Sequence, residues 1–347
     1  VVGTLLAGVA GTVLFTRFFP YPHEQWTAVW QSGLSRGLLL MIAAFGLWQL
    51  RSAAGSSRPK AIALQAGLVL LVGVDAWTHA PNQNPTASAG VCRPGLVTEK
   101  LALEPMLGRC RAWRDRDTER LFYFRMLADP DADYVGRRFG LYGDCNLLDR
   151  IPTPDGFYSL YPARQNEIAQ ALYRAPTNRF PDGLANFLGI AYITNPTNLL
   201  VWRTRTNALP LLTVGQQPVF LEPKATLAGI QAPDFDAQRL VYLPPEVRAS
   251  VSVTNGTAAR ILSQRVTAHR VTAEIEAKEP SLMVIAQSWY PCWRAYVDGK
   301  PVPLWQANYA FQALEVPSGK HAVKLVYRDT AFVVGGVISL LTLAVMG

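Results

Sequence analysis

The chain has 347 residues, half of them hydrophobic and 17% charged, with a formal net charge of +8. So apolar a composition excludes an ordinary soluble domain, and so much charge excludes a purely helical transporter; several membrane spans joined to one large aqueous domain satisfy both limits. The basic excess is mainly Arg, scattered among Asp and Glu without a run, which argues against nucleic acid and for contact with anionic headgroups or phosphates.

Residues 1–19 read as the end of a transmembrane helix, with Gly3, Gly8 and Gly11 as small packing residues. Phe18-Phe19-Pro20-Tyr21-Pro22 breaks it at an aromatic, interface-like edge. A short loop carrying His23, Glu24, Trp26 and Trp30 follows. The second span is predicted over 30–50, interrupted by Arg36, and the third over 61–79. Between them, the turn 51–60 holds Arg51, Arg58 and Lys60 and no acid, so the positive-inside rule assigns it to the cytoplasm. On that reading the third helix exits outward and residues 81–329 are extracytoplasmic.

The outer region is long enough for two subdomains. Residues 81–249 are predicted to be α+β: a connecting segment at 81–120, a strand at 121–126, a turn-rich stretch at 145–160, helices at 165–173 and 182–188, a buried strand at 189–194, and strands at 211–213, 218–221 and 239–243. From 250 to 329 the pattern turns all-β, with strands at 259–263, 270–277 and 281–288 and a small β-sandwich as the outcome. Asp298-Gly299 supplies a type I′ turn between 295–297 and 302–305, and Pro317-Ser318-Gly319-Lys320 turns 311–316 into 321–327. Residues 330–347 then form an uncharged, truncated transmembrane helix; the run 331–346 is roughly 16 residues against the ~20 a span needs. The chain opens without Met inside one apolar run and stops inside another, so the expectation is a C-terminal portion of a longer membrane protein.

Cys92, Cys110, Cys145 and Cys292 form no CxxC or Cys/His set, which argues against zinc. Outside the cytoplasm a disulfide between Cys92 and Cys110 is one expectation and four separate buried thiols the other. P-loop, Rossmann, HExxH and GxSxG signatures are absent, and no cofactor is implied. His269 and His321 have no partner at metal or triad spacing. Tyr158, Trp289, Tyr290, Trp293 and Tyr309 have rings that suit sugar faces, but in a β module such residues belong to the core or pack turns. Asp155-Gly156 and Asp298-Gly299 read as turns.

Five stretches resemble the bacterial YfhO-like membrane proteins, which are grouped with GT-C-type glycosyltransferases. They are Val74-Asp75-Ala76-Trp77 with Asn82-Gln83-Asn84-Pro85, Cys145-Asn146-Leu147-Leu148 with Pro154-Asp155-Gly156-Phe157-Tyr158, Leu188-Gly189-Ile190-Ala191-Tyr192-Ile193, the segment from Trp289 to Lys300, and Asn308-Tyr309-Ala310-Phe311 through Gly319-Lys320-His321. Two positions depart from the pattern: Cys292 stands where Gly commonly precedes the Trp, and Gln312 where Arg often follows the Phe. The resemblance implies sugar transfer from a polyprenyl-phosphate donor to an envelope glycan acceptor, with the essential carboxylate upstream of residue 1. No residue of this chain inherits the catalytic role.

Four residues are then candidates for substrate binding. Arg36, inside a span, is placed to hold the carrier phosphate, with Arg17 and His79 at the same level; guanidinium forks suit phosphate oxygens. Snorkelling to the headgroups or a pair with Asp75 is the structural alternative. Asp75 lies where a base for the acceptor hydroxyl would sit, although a structural ion pair accounts for it better.

Overall fold

The computed structural model describes residues 2–19, 26–52, 58–79, 87–104, 106–124, 127, 129–157, 159–175 and 180–346. The chain divides into two compact units, Val1–Pro85 and Thr86–Gly347.

The first unit contains three helices: α1 (Val2–Phe18), α2 (Trp26–Ser52) and α3 (Arg58–His79). Their apolar residues are spread around the whole circumference, and α1 and α2 bury no side chain. A helix apolar on every face needs apolar surroundings. By length and composition, α2 and the Pro59–Thr78 part of α3 are sufficient to cross a membrane; α1, at 17 residues, is shorter. Glycines set the packing. A Cβ at Gly33 would collide with Val13 Cγ2, and one at Gly46 would lie 3.0 Å from Leu68 Cδ2. The loop expected to carry His23 and Glu24 lies outside the described residues, as does the 82–85 stretch.

The second unit begins with α4 (Leu96–Lys100), β1 (Arg111–Trp113), α5 (Arg116–Phe124), α6 (Pro130–Phe139), α7 (Ala163–Tyr173), α8 (Asp182–Phe187), β2 (Ile190–Ile193) and β3 (Arg203–Thr204). The segment 81–120, expected to be a mere connection, thus holds a helix and a strand. β1 runs parallel to β2, and β3 pairs antiparallel on the far side of β2. Next come β4 (Leu212–Val214), β5 (Gln217–Phe220), α9 (Pro223–Ile230) and β6 (Leu240–Leu243). β5 and β6 are parallel, with α9 as their crossover.

The strand expected at 121–126 is instead the end of α5, with Arg125 and Met126 outside the described residues. The aromatic run suggested β structure, but the helix start decides the conformation. Asp115 Oδ1 accepts from Thr118 N at 2.7 Å, and Asp117 and Glu119 favour the positive end of the helix dipole. α5 buries Thr118 and Phe122 and leaves Tyr123 and Phe124 exposed.

The remaining strands are β7 (Ala259–Thr267), β8 (Arg270–Ala277), β9 (Ser281–Ile285), β10 (Trp293–Val297), β11 (Lys300–Val302), β12 (Trp305–Ala307), β13 (Phe311–Val316) and β14 (Gly319–Tyr327), and α10 (Thr330–Met346) follows. They form an antiparallel five-stranded sheet, β11-β10-β14-β8-β7, and an antiparallel four-stranded sheet, β12-β13-β9-β4. The four-stranded sheet takes β4 from upstream of residue 250. The expected strand 302–305 divides: β11 stays in the larger sheet while β12 joins the smaller one, and Pro303, lacking an N–H, sits at the switch. Asp298 and Gly299 have φ of 48° and 79°, the tight turn expected of that dipeptide.

Alternation on β8 sends Val271, Ala273, Ile275 and Ala277 inward and Arg270, Thr272, Glu274 and Glu276 outward. β9 is buried throughout, so its sheet is covered on both faces. One hydrophobic core joins both sheets to α7, α8 and α9, with the Phe187 and Phe311 rings edge-to-face at 4.9 Å. A smaller core lies under Phe139, Leu141, Ile151 and Trp202. The four cysteines are free: Cys92 is exposed and the other three are half-buried. The Cys92 to Cys110 bridge does not form, nor are all four thiols buried.

Candidate functional site

Arg17 occupies the last turn of α1, its guanidinium carbon 5.9 Å from the Trp26 ring centroid at the start of α2. Gly33 approaches Val13 while Gly37 approaches Leu6, so α1 and α2 run antiparallel. This register puts Arg36 level with the middle of α1, roughly 10 Å along the axis from Arg17 at 1.5 Å per residue. The approach of Gly46 to Leu68, ten residues from Arg36 on α2, puts Arg36 at the end of the α2–α3 pair that carries Asp75 and His79. The backbone thus groups Arg36, Asp75 and His79 at one end of that pair, and Arg17 stands apart. Only the backbone of His79 is among the described atoms.

The second unit has a polar cleft that the sequence did not announce. Its centre is Arg111, the first residue of β1. Arg111 Nη1 donates to Leu188 O at 2.7 Å, just past α8, and Nη2 donates to Ala286 O at 2.6 Å, just past β9. Among the described residues no carboxylate pairs with it. Burial pushes its pKa down to about 10, the cost of holding a cation on carbonyl dipoles alone. Arg111 lines two cavities, of about 240 and 400 Å³. Asp155, Tyr161, Gln165, Gln287 and Ser288 surround the larger one, over an apolar floor that includes Leu188 and Phe311.

Asp155 Oδ2 accepts from Tyr173 Oη at 2.6 Å and lies 3.8 Å from Arg114 Nη2. Burial raises its pKa, against the pull of Arg114 and of the tyrosine hydroxyl; Tyr173 is pushed well up by burial and by Asp155. Arg114 also pairs with Glu119. Gln165 Nε2 donates to Pro154 O at 3.0 Å, and its Oε1 accepts from Ser288 Oγ at 2.9 Å. Gln312 donates to Ser288 O at 2.8 Å, while its buried Oε1 has no hydrogen-bond partner among the described residues. One cation, one carboxylate, amides and hydroxyls over an apolar floor suit a hydroxylated ligand. Among the described residues no group of three His, Cys, Asp or Glu is arranged for a metal.

Of the aromatics singled out in the sequence, the described ones do not line the cleft. Trp293 is buried and edge-on to Tyr327, whereas Tyr290 is stacked on Tyr327. Tyr309 carries Arg164 5.3 Å over its ring and donates to Glu167. Trp289 is half-buried and Tyr158 lies outside the described residues. His321, which has no partner at metal or triad spacing in the sequence, meets Asp298 Oδ2 at 2.6 Å through Nδ1. Asp155, expected as a turn residue, also lines the cleft, and its carboxylate is held by Tyr173 and Arg114. Arg111 gave no local signal, because three distant segments create its environment.

Residues 247–339 match the family model described as bacterial membrane protein YfhO. This part of the chain is YfhO-like. The match runs from just before β7 into α10 and contains both the Trp289 to Lys300 segment and the Asn308 to His321 segment; the three other resembling segments lie upstream of it. With the two apolar helices α2 and α3, it is consistent with a YfhO-like bacterial membrane protein. A search of curated proteins finds no match.

Proposed function

We propose that the chain is part of a multi-pass plasma-membrane protein of the glycosyltransferase-like kind, working with a polyprenyl-phosphate-linked sugar and an envelope glycan acceptor. The observation that carries this reading is the YfhO match over a β module that leads directly into the apolar helix α10. In this scheme residues 87–329 face away from the cytoplasm, as the basic 51–60 turn argues. Arg36 holds the carrier phosphate, with Asp75 and His79 at the same end of the helix pair. The Arg111 cleft receives saccharide. None of these residues is assigned the bond-making step.

Asp155 favours a second reading. Among the described residues it is the one carboxylate lining the larger cleft, and it is already engaged by Tyr173 and Arg114, an arrangement that suits recognition better than proton transfer. A non-catalytic envelope protein that binds glycan would need no more.

Membranes containing this chain joined to the upstream carboxylate-bearing segment that the first reading requires, supplied with a labelled polyprenyl-phosphate sugar, separate the two readings. Chain-dependent transfer that falls in Arg36→Ala, with folding intact, supports the first. Glycan binding without transfer supports the second.

A further inference from the structure

The outward face of the five-stranded sheet sorts its charges along the strands. The register aligns Arg270 on β8 with Val326 on β14, which in turn faces Arg294 on β10. One step further from α10, Arg265 on β7, Thr272, Lys324 and Tyr296 form the next row. These two rows carry Arg270, Arg294, Arg265 and Lys324 and no acid. The rows beyond carry Glu274 and Glu276 together with Arg260 and Lys320. Neighbouring strands are about 4.8 Å apart, so the cations form a patch and not a line.

The all-basic end is the end from which α10 leaves. Tyr327 N donates to His269 O at 3.0 Å and Arg328 N to Cys292 O at 2.9 Å, so sheet pairing persists until two residues before the helix. Asp329 is the acid in this stretch, and its Oδ1 accepts from Phe332 N at 3.1 Å at the start of α10. α10 has no charge along its 17 residues. A groove of about 570 Å³ opens on this end of the sheet, lined by Arg265, Thr267, His269, Arg270, Thr272 and Tyr327. Tyr290, Trp293 and His269 cluster around Tyr327, an aromatic composition typical of the bilayer interface. The side chains of Arg265, Arg270 and Lys324 have no ion pair or hydrogen bond among the described residues.

We propose that this membrane-proximal basic face, centred on Arg265, Arg270 and Lys324, binds the phosphate headgroups of anionic phospholipids. The inference rests on α10 entering the bilayer, since a helix that inserts there brings the nearer basic row within about 13 Å of the start of α10 and the farther row within about 20 Å, at 3.3 Å per strand residue. Basic residues so placed each strengthen attachment to an anionic surface. The charge sorting thereby orients the sheet: basic rows toward lipid, mixed rows toward water.

The test is native mass spectrometry of the full chain in detergent, titrated separately with phosphatidylglycerol, phosphatidylcholine and inorganic phosphate. Phosphatidylglycerol should bind at least about tenfold more tightly than phosphatidylcholine. The exposed triple variant R265Q/R270Q/K324Q should lose that preference, whereas E274Q/E276Q, further out on the same face, should keep it. Equal binding of the two lipids, or a preference that survives the triple variant, overturns the proposal. Full displacement of phosphatidylglycerol by millimolar inorganic phosphate overturns it too, by assigning the site to free phosphate. Resistance to alkaline extraction reads the anchoring of α10 separately, so a failed lipid preference in an extraction-resistant chain counts against the basic face alone.

Discussion

Arg138 and Asp149 form a two-pronged ion pair with no solvent exposure on either side chain: Nη2 donates to Oδ1 at 2.7 Å and Nε to Oδ2 at 3.2 Å. Asp149 Oδ1 also accepts from Val97 N at 2.9 Å, and Arg138 Nη1 donates to Val91 O at 2.6 Å. The pair therefore ties α6 to the segment before α4 and to the 144–151 loop. Arg138→Ala leaves a carboxylate buried without its cation, at an expected cost of about 3–5 kcal/mol in chemical unfolding of the purified chain. Removing both charges in R138M/D149L should cost clearly less. Equal losses in the two variants would show that the pair is not the origin of the effect.

Phe187 on α8 and Phe311 on β13 join the helical layer to the four-stranded sheet. Phe187→Ala should lower stability by about 3–5 kcal/mol through lost burial and the cavity left behind. A loss under about 1 kcal/mol would mean that the two layers are not energetically joined.

In the helical unit, Gly33→Ile forces side-chain atoms into Val13, where even a Cβ is too close. Thermal unfolding of the helices in detergent, followed by circular dichroism, should move to lower temperature, corresponding to about 1–3 kcal/mol. Gly3, where an added Cβ would meet no other side chain within 4 Å among the described residues, should accept Ala unchanged.

The contact between His321 and Asp298 makes a small pH-dependent contribution. The Asp298 hydrogen bond raises the His321 pKa above 6.5, so its stabilisation is full below that value and is lost as pH rises through the higher folded pKa. The His321 hydrogen bond lowers the Asp298 pKa below 3.8, so that part is full above 3.8 and is lost as pH falls through the lower folded value. The pair should contribute most between pH 3.8 and 6.5. Melting temperatures at pH 5.5 and pH 8.5 should differ slightly more in the wild type than in His321→Ala; identical differences would contradict the linkage.

Much of the β module could be read in advance because its determinants are local: the Asp298-Gly299 turn, the alternation along β8 and β14, and the uncharged run of α10. What escaped reading was non-local. β4 reaches the four-stranded sheet by pairing with β9 from some 70 residues upstream (Leu212 with Ile285), which no local pattern encodes. Arg111 becomes a buried cation only when the ends of α8 and β9 converge on it. His321 on β14 finds Asp298, in the turn after the neighbouring strand β10, 23 residues away in sequence. The misread aromatic run of α5 shows the opposite failure: side-chain type suggested a strand, while one capping carboxylate at Asp115 determined a helix.

The most direct test of the central claim is the sidedness of Cys92. Cys92 is exposed, whereas burial raises the Cys110 and Cys145 thiols and makes them less reactive. With Cys110, Cys145 and Cys292 replaced by Ser, a membrane-impermeant maleimide applied to intact cells should label Cys92. Labelling that occurs only after the membrane is opened would place residues 87–329 on the cytoplasmic side and contradict the account.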